Sequence, residues 1–286
     1  MTHNKSAKRG LFILCTAAFL VPFMGSALNL ALPEMSEFFS MKAVALTWLA
    51  TAYLISTAIF QIPFARIADL VGRKKIYQLG VFIFTVSTFL CGFAPNFIVL
   101  IVLRFVSGVG SAMMFGTNIA ILTSLFPPEQ RGKALGINTA VVYAALAAGP
   151  FLGGLLTHYL GWQSIFFTCG AVGLCVLLLS VLLLHGEWVE AKGERFDWQG
   201  SILYGVGLAS LIYGFSTLPR VEGILCLSAG VLAFIAFVLF ERKHEFPVFN
   251  VRLFSANKIF RLSSIAALIN YAATFAIAFM LSLYLQ

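Results

Sequence analysis

Asp69, Gly72, Arg73 and Lys74 place a carboxylate, a glycine and two cations close together in the stretch Pro63-Phe64-Ala65-Arg66-Ile67-Ala68-Asp69-Leu70-Val71-Gly72-Arg73-Lys74-Lys75. The chemistry open to them is that of a charge clasp. Asp69 closes a helical run, where the negative pole of the helix disfavours a carboxylate. It therefore needs a partner, either a cation or the N-terminus of another helix. Gly72 lets the backbone turn sharply. Arg73, Lys74 and Lys75 hold the turn on the cytoplasmic side of a membrane, where short basic loops are retained.

A second group lies within apolar runs. Arg104, in Leu103-Arg104-Phe105-Val106-Ser107-Gly108-Val109-Gly110, is a formal charge at membrane depth. Such an arginine costs at least about 2.5–3.5 kcal/mol, so it must face a cavity or a partner, or else snorkel to the outer headgroups. Asn29, Tyr53, Asn118 and Tyr143 are polar or aromatic groups near mid-depth. Each is either a hydrogen bond between helices or a contact to a small molecule near the midplane. Gly136, Gly149, Pro150, Gly153 and Gly154 share one further run. Gly149 and Gly153 form a small-xxx-small pair that lets another backbone approach, and Pro150 removes a backbone donor and bends its helix.

Enzyme chemistry has no support. The sequence holds no Gly-x-x-x-x-Gly-Lys-[Ser/Thr], no His-Glu-x-x-His and no Gly-x-Ser-x-Gly. No cofactor or metal is expected. Cys15, Cys91, Cys169, Cys175 and Cys226 all fall in apolar runs without metal spacing, and read as reduced, buried small hydrophobes.

The elements that position these groups follow from composition. Of 286 residues, 60% are hydrophobic and 10% charged, against about 25% charged in soluble domains. The chain reads as an all-α polytopic membrane protein. At about 20 apolar residues per span, nine spans are predicted, near 11–33, 44–65, 76–94, 97–124, 134–157, 163–185, 199–217, 222–241 and 262–286. With the N-terminus in the cytoplasm, the outer loops hold only Lys42 and Arg220, Arg104 lies inside a span, and every other lysine and arginine is cytoplasmic. The +8 net charge thus reports topology, and no nucleic-acid partner is expected. His185 to Trp198 is the most polar segment and reads as a cytoplasmic linker. The expected organisation is a six-helix bundle (1–185), the linker (186–198), a helix pair (199–241), and a loop with the first helix of a second bundle (242–286). The last run stops without a flank, which reads as the front portion of a longer protein.

The stretch around Asp69 resembles the loop between the second and third helices of major facilitator superfamily transporters, Gly-x-Leu-Ala-Asp-x-x-Gly-Arg-Lys. Ala68, Asp69, Gly72, Arg73 and Lys74 match, while Ala65 and Ile67 depart. Arg104 matches the fourth-helix pattern Arg-Phe-x-x-Gly-x-Gly. Gly136, Gly149, Pro150, Gly153 and Gly154 match the fifth-helix antiporter motif, with Ala145 where glycine is usual. Ala27 to Pro33, Trp48 to Leu54, Phe196-Asp197-Trp198-Gln199-Gly200 and Pro247 to Phe254 are similar to the fourteen-helix drug:proton antiporter branch.

The resemblance implies a major facilitator fold with about nine of fourteen helices present, in a cell (inner) membrane. It implies proton-coupled efflux of drug-like or amphipathic small molecules by alternating access. It gives Asp69, Gly72, Arg73 and Lys74 the role of a latch, Arg104 a role in coupling, and the Gly149–Gly154 helix that of a pivot. Met24 stands where the branch carries an aspartate, and no Asp or Glu lies deep in a span. A uniporter or importer of the same fold, and a non-transporting scaffold, therefore remain open.

Overall fold

The computed structural model describes the backbone of residues 2–41 and 43–284, with side chains for 6–41 and 45–273. Lys42 and residues 285–286 of the ninth predicted span lie outside the described residues. The described chain is helical: α1 (Thr2–Phe39), α2 (Ala43–Val71), α3 (Arg73–Cys91), α4 (Phe97–Leu125), α5 (Pro128–Leu160), α6 (Gln163–Leu183), α7 (Trp198–Thr217), α8 (Val221–Glu241), the single turn α9 (Leu253–Ala256) and α10 (Lys258–Tyr284). Each predicted span coincides with a long helix. Among the described residues, α1, α2 and α4 to α8 are long and apolar enough to cross a membrane. α3 opens on Arg73-Lys74-Lys75, which lowers its mean hydropathy.

α1, α2 and α5 outrun their predicted spans. α2 continues past the predicted span end at 65, through Asp69 to Val71, so the turn is Gly72 alone, at φ 133°. The reason is packing. Phe64, Ile67 and Ala68 recur at helical spacing and close a small core with Ile76 of α3 and Met113 of α4. Helix starts use local caps: Asn96 Oδ1 accepts from the Val99 amide at 2.9 Å, Pro128 opens α5, and Asp197 accepts from the Gly200 amide at 2.8 Å.

α1 to α6 form one bundle. α1 packs along α5 and α6, α4 along α2 and α3, and α3 on α6. Exchanging α1–α3 for α4–α6 maps these pairings onto themselves, as two three-helix repeats running in opposite directions would. The two repeats also share a turn. Gly72 between α2 and α3 and Gly161 between α5 and α6 both have positive φ, at opposite rims. The rim at Gly161 is closed by Trp162, Phe38, Phe39 and Phe97 in ring contact, and Glu34 accepts from the Trp162 amide at 3.3 Å.

α7 and α8 pair with each other, and α7 leans on α2. Tyr204 donates to the Ala58 carbonyl at 3.0 Å, and Tyr204, Phe237 and Val251 form a separate core touching Ile62. Cys15, Cys91 and Cys169 are buried, but Cys175 is exposed and Cys226 half-buried, which corrects the expectation for those two. They sit on outward faces beside exposed Leu174, Leu178 and Leu225.

Candidate functional site

The clasp is built where α2 ends. Arg73 opens α3, one turn after Asp69, and its Nε donates to Asp69 Oδ1 at 2.7 Å. Its Nη1 donates to Glu190 Oε1 at 2.7 Å and to Ser124 Oγ at 3.2 Å. One guanidinium thus joins α2, α3, α4 and the segment after α6, a fork that a lysine could not supply. Burial opposes the Arg73 charge, but the Asp69 and Glu190 carboxylates outweigh it and hold the group above its usual pKa.

The polar linker lies across the turn. The Glu190 and Ala191 amides donate to the Asp69 carbonyl at 3.1 and 3.0 Å, and the Arg73 amide donates to the Trp188 carbonyl at 3.0 Å. Arg66 pairs with Glu194. Lys74 takes part through its backbone, whose amide donates to Glu187 Oε1 at 2.9 Å. That carboxylate also fills the space over Gly72, where an added Cβ would collide with it. Gly72 therefore serves both the positive φ and the seat for Glu187. Sequence reasoning placed the cations and Asp69 but missed Glu187, Glu190 and Glu194 as their partners. The signal that could have found them is the recurrence of Glu187, Glu190 and Glu194 every three or four residues in the linker that follows α6.

Arg104 is buried, only 1% exposed, so snorkelling is not its arrangement. Its guanidinium lies 4.2 Å from the Tyr53 ring centroid, a cation–π contact. Nε donates to the Leu49 carbonyl at 3.4 Å, and Nη1 approaches Met24 Sδ at 3.5 Å. Among the described residues, which include every Asp and Glu of the chain, none forms an ion pair with it. Tyr53 in turn donates to Ser111 Oγ at 2.8 Å.

The glycine motif of α5 meets α1. A Cβ on Gly149 would strike Ser26, and one on Gly153 would strike the side chain and backbone of Ala27. Gly154 faces Leu30, whereas nothing lies within 4 Å of a Cβ on Gly136, so that glycine stands apart from the seam. Pro150 lacks the amide that would bond the Leu146 carbonyl, and Ser26 Oγ donates to that carbonyl at 3.0 Å. The donor missing from α5 is thus supplied by α1.

The remaining polar positions divide. Asn118 is buried and donates from Nδ2 to the Leu14 carbonyl at 2.9 Å, a helix–helix bond. Its Oδ1 lacks a hydrogen-bond partner at a small cavity lined by Ala17, Ala18, Val21, Met114 and Phe115. Asn29 is exposed. Tyr143 is exposed and its hydroxyl meets Asn270 Nδ2 of α10 at 3.3 Å. The structure does not gather Asn29, Tyr53, Asn118 and Tyr143 into one pocket: Tyr53 and Asn118 are buried inside the bundle, and Asn29 and Tyr143 lie on its surface.

A family model described as Major Facilitator Superfamily matches residues 14–286. The chain belongs to the major facilitator superfamily. It is 30% identical over 279 residues to "Riboflavin transporter RibZ" of Clostridioides difficile, covering 96% of this chain and 60% of that protein. It is 32% identical over 251 residues to "Multidrug resistance protein Stp" of Mycobacterium tuberculosis, covering 86% and 45%. It is 30% identical over 282 residues to "Methylenomycin A resistance protein" of Bacillus subtilis, covering 96% and 60%. The chain thus spans about half the length of the curated relatives it matches. A crystal structure of a bacterial homolog to the human lysosomal transporter Spinster, inward-facing and unoccupied, aligns with TM-score 0.53 and 19% identity over 82% of this chain and 61% of that one. At that identity the likeness bears on the fold.

Proposed function

We propose that this chain is the front portion of a secondary active transporter that exports drug-like or amphipathic organic compounds by alternating access, with protons as the counter-ion. The observation that carries this reading is the Arg73 clasp. It ties α2, α3 and α4 to the linker with partly exposed ion pairs, strong enough to hold a rim closed and weak enough to open. The relatives named for resistance support the direction of transport. In this reading Asp69, Gly72, Arg73 and Lys74 latch the cytoplasmic rim of an inner-membrane protein whose N-terminus is cytoplasmic. Arg104 tunes coupling, and the Gly149–Gly154 seam carries motion between α1 and α5. Residues 1–185 form the first bundle, 199–241 an inserted pair, and 242–286 the entry to a second bundle.

A uniporter or importer of the same fold is the second reading. Met24 beside Arg104 favours it, because no carboxylate stands there to exchange a proton. The test uses the full chain in proteoliposomes with an imposed proton gradient and a fluorescent amphipathic cation as probe. Efflux expects probe movement that collapses with an uncoupler and falls at least about tenfold in Asp69→Asn. Movement indifferent to the uncoupler would favour the second reading.

A further inference from the structure

At the foot of α7 and α8, three titratable side chains meet outside the clasp. Asp197 is 4% exposed and Glu241 is 1% exposed. A methyl group added at Gly200 would collide with both Asp197 Oδ2 and Glu241 Oε1, so the two carboxylates crowd over one glycine. Asp197 Oδ1 is occupied by the Gly200 amide, but its Oδ2, although buried, has no hydrogen-bond donor. The nearest candidate is His244 Nδ1 at 3.7 Å, itself without a hydrogen-bond partner. The His244 side chain is one-third exposed and so links the buried pair to water. Glu241 accepts from the Val248 amide at 3.3 Å and the Phe249 amide at 3.4 Å, where the chain turns toward α9 and α10.

Two carboxylates this close and this dry cannot both stay ionised without large cost. A metal ion is not the answer, since no group of three or more His, Cys, Asp or Glu among the described residues has metal-holding geometry. The positive charges nearby are engaged or exposed. Arg252 donates to the Arg242 carbonyl, Arg66 pairs with Glu194, and Arg242 and Lys243 are exposed. Glu245 on the same loop is exposed too, and Asp197 and His244 are the titratable side chains that act on Glu241.

We propose that Asp197 and Glu241 form a proton-binding site in which one proton is held between the two carboxylates and exchanged with the cytoplasm through His244. The proton bonds one carboxylate oxygen and is shared with the other. On its release to His244, and from there to water, the pair becomes doubly charged. Loading sets the charge on the carboxylate that holds the 248–249 turn, and so the attachment of α10 to the α7–α8 pair. The site is titratable whether or not transport is proton-driven.

The test measures unfolding temperature against pH for the full-length protein in detergent, together with infrared spectra of the carboxyl stretch. The folded wild type holds a proton that the unfolded chain has released, so its unfolding temperature should fall by several degrees as pH rises from about 4.5, where the unfolded carboxylates ionise, and should level off once the folded pair has lost its proton. Glu241→Gln, which copies the protonated acid, should lose that fall and the protonated-carboxyl band. Asp197→Asn keeps the helix cap and removes the like charge that shares the proton, so the fall should shrink and the protonated-carboxyl band should weaken, which serves if Glu241→Gln does not fold. Variant curves parallel to the wild type, or a wild type without a protonated-carboxyl band, would overturn the site. A titration that disappears in Glu241→Gln alongside uncoupler-indifferent transport would keep the site and remove proton-driven export alone.

Discussion

At the residue scale, Arg73 does what no neighbouring cation does, because its planar fork reaches Asp69, Glu190 and Ser124 together. Both acids are partly exposed, so the pairs are worth about 1 kcal/mol in all. Arg73→Lys should leave the fold intact, while trypsin cuts faster after Lys192 and Arg195 because the linker lifts; peptide mapping of a time course reads this. Unchanged cutting would mean that the backbone bonds to Asp69 hold the linker alone. Ser26 offers a cleaner measurement. Ser26→Ala should cost about 0.6 kcal/mol, the mean for such bonds in membranes, by orphaning the Leu146 carbonyl. In a Pro150→Ala background α5 regains its own donor, and the same change should cost close to nothing. A double-mutant cycle on unfolding free energy that shows no coupling would refute the assignment.

At the element scale, the glycines of α5 are not equivalent. Gly153→Ala would force a methyl group into the backbone of Ala27 and should lower the unfolding temperature by several degrees, since overpacking costs about 1–3 kcal/mol. Gly136→Ala meets nothing within 4 Å and should leave it unchanged or slightly raised. The comparison of the two melting curves decides whether the glycine pattern is a seam or a composition. Such distinctions were only partly legible in the sequence. Apolar length marked all nine long helices among the described residues, because the bilayer fixes span length. Apolar length ends the second span near 65, short of the end of α2 at Val71, because Arg66 and Asp69 break the apolar run while Phe64, Ile67 and Ala68 are buried by distant Ile76 and Met113. Arg104 was found from its depth, but its partners are a ring, a carbonyl and a thioether, none of which sequence spacing announces. The acids Asp197 and Glu241 stand 44 positions apart, so only the pairing of α7 with α8 reveals that they meet.

At the scale of the whole molecule, the main core takes its members from α1 to α6 and the linker, and the core of α7 and α8 is separate. Deleting 199–241 and joining the flanks with a flexible linker should therefore leave cooperative unfolding of the bundle, read by tryptophan fluorescence from buried Trp162. Loss of a cooperative transition would mean that the pair is part of the bundle's fold. The twin glycine turns have a mechanical consequence. Gly72 and Gly161 occupy matching places in the two repeats, one at each rim, and each is topped by a glutamate, Glu187 at the first and Glu34 at the second. In the proposed export cycle the bundle would act as a lever with a catch of the same make at either end. Releasing one catch would leave the other engaged, so the body could tip about the fastened rim without bending its middle.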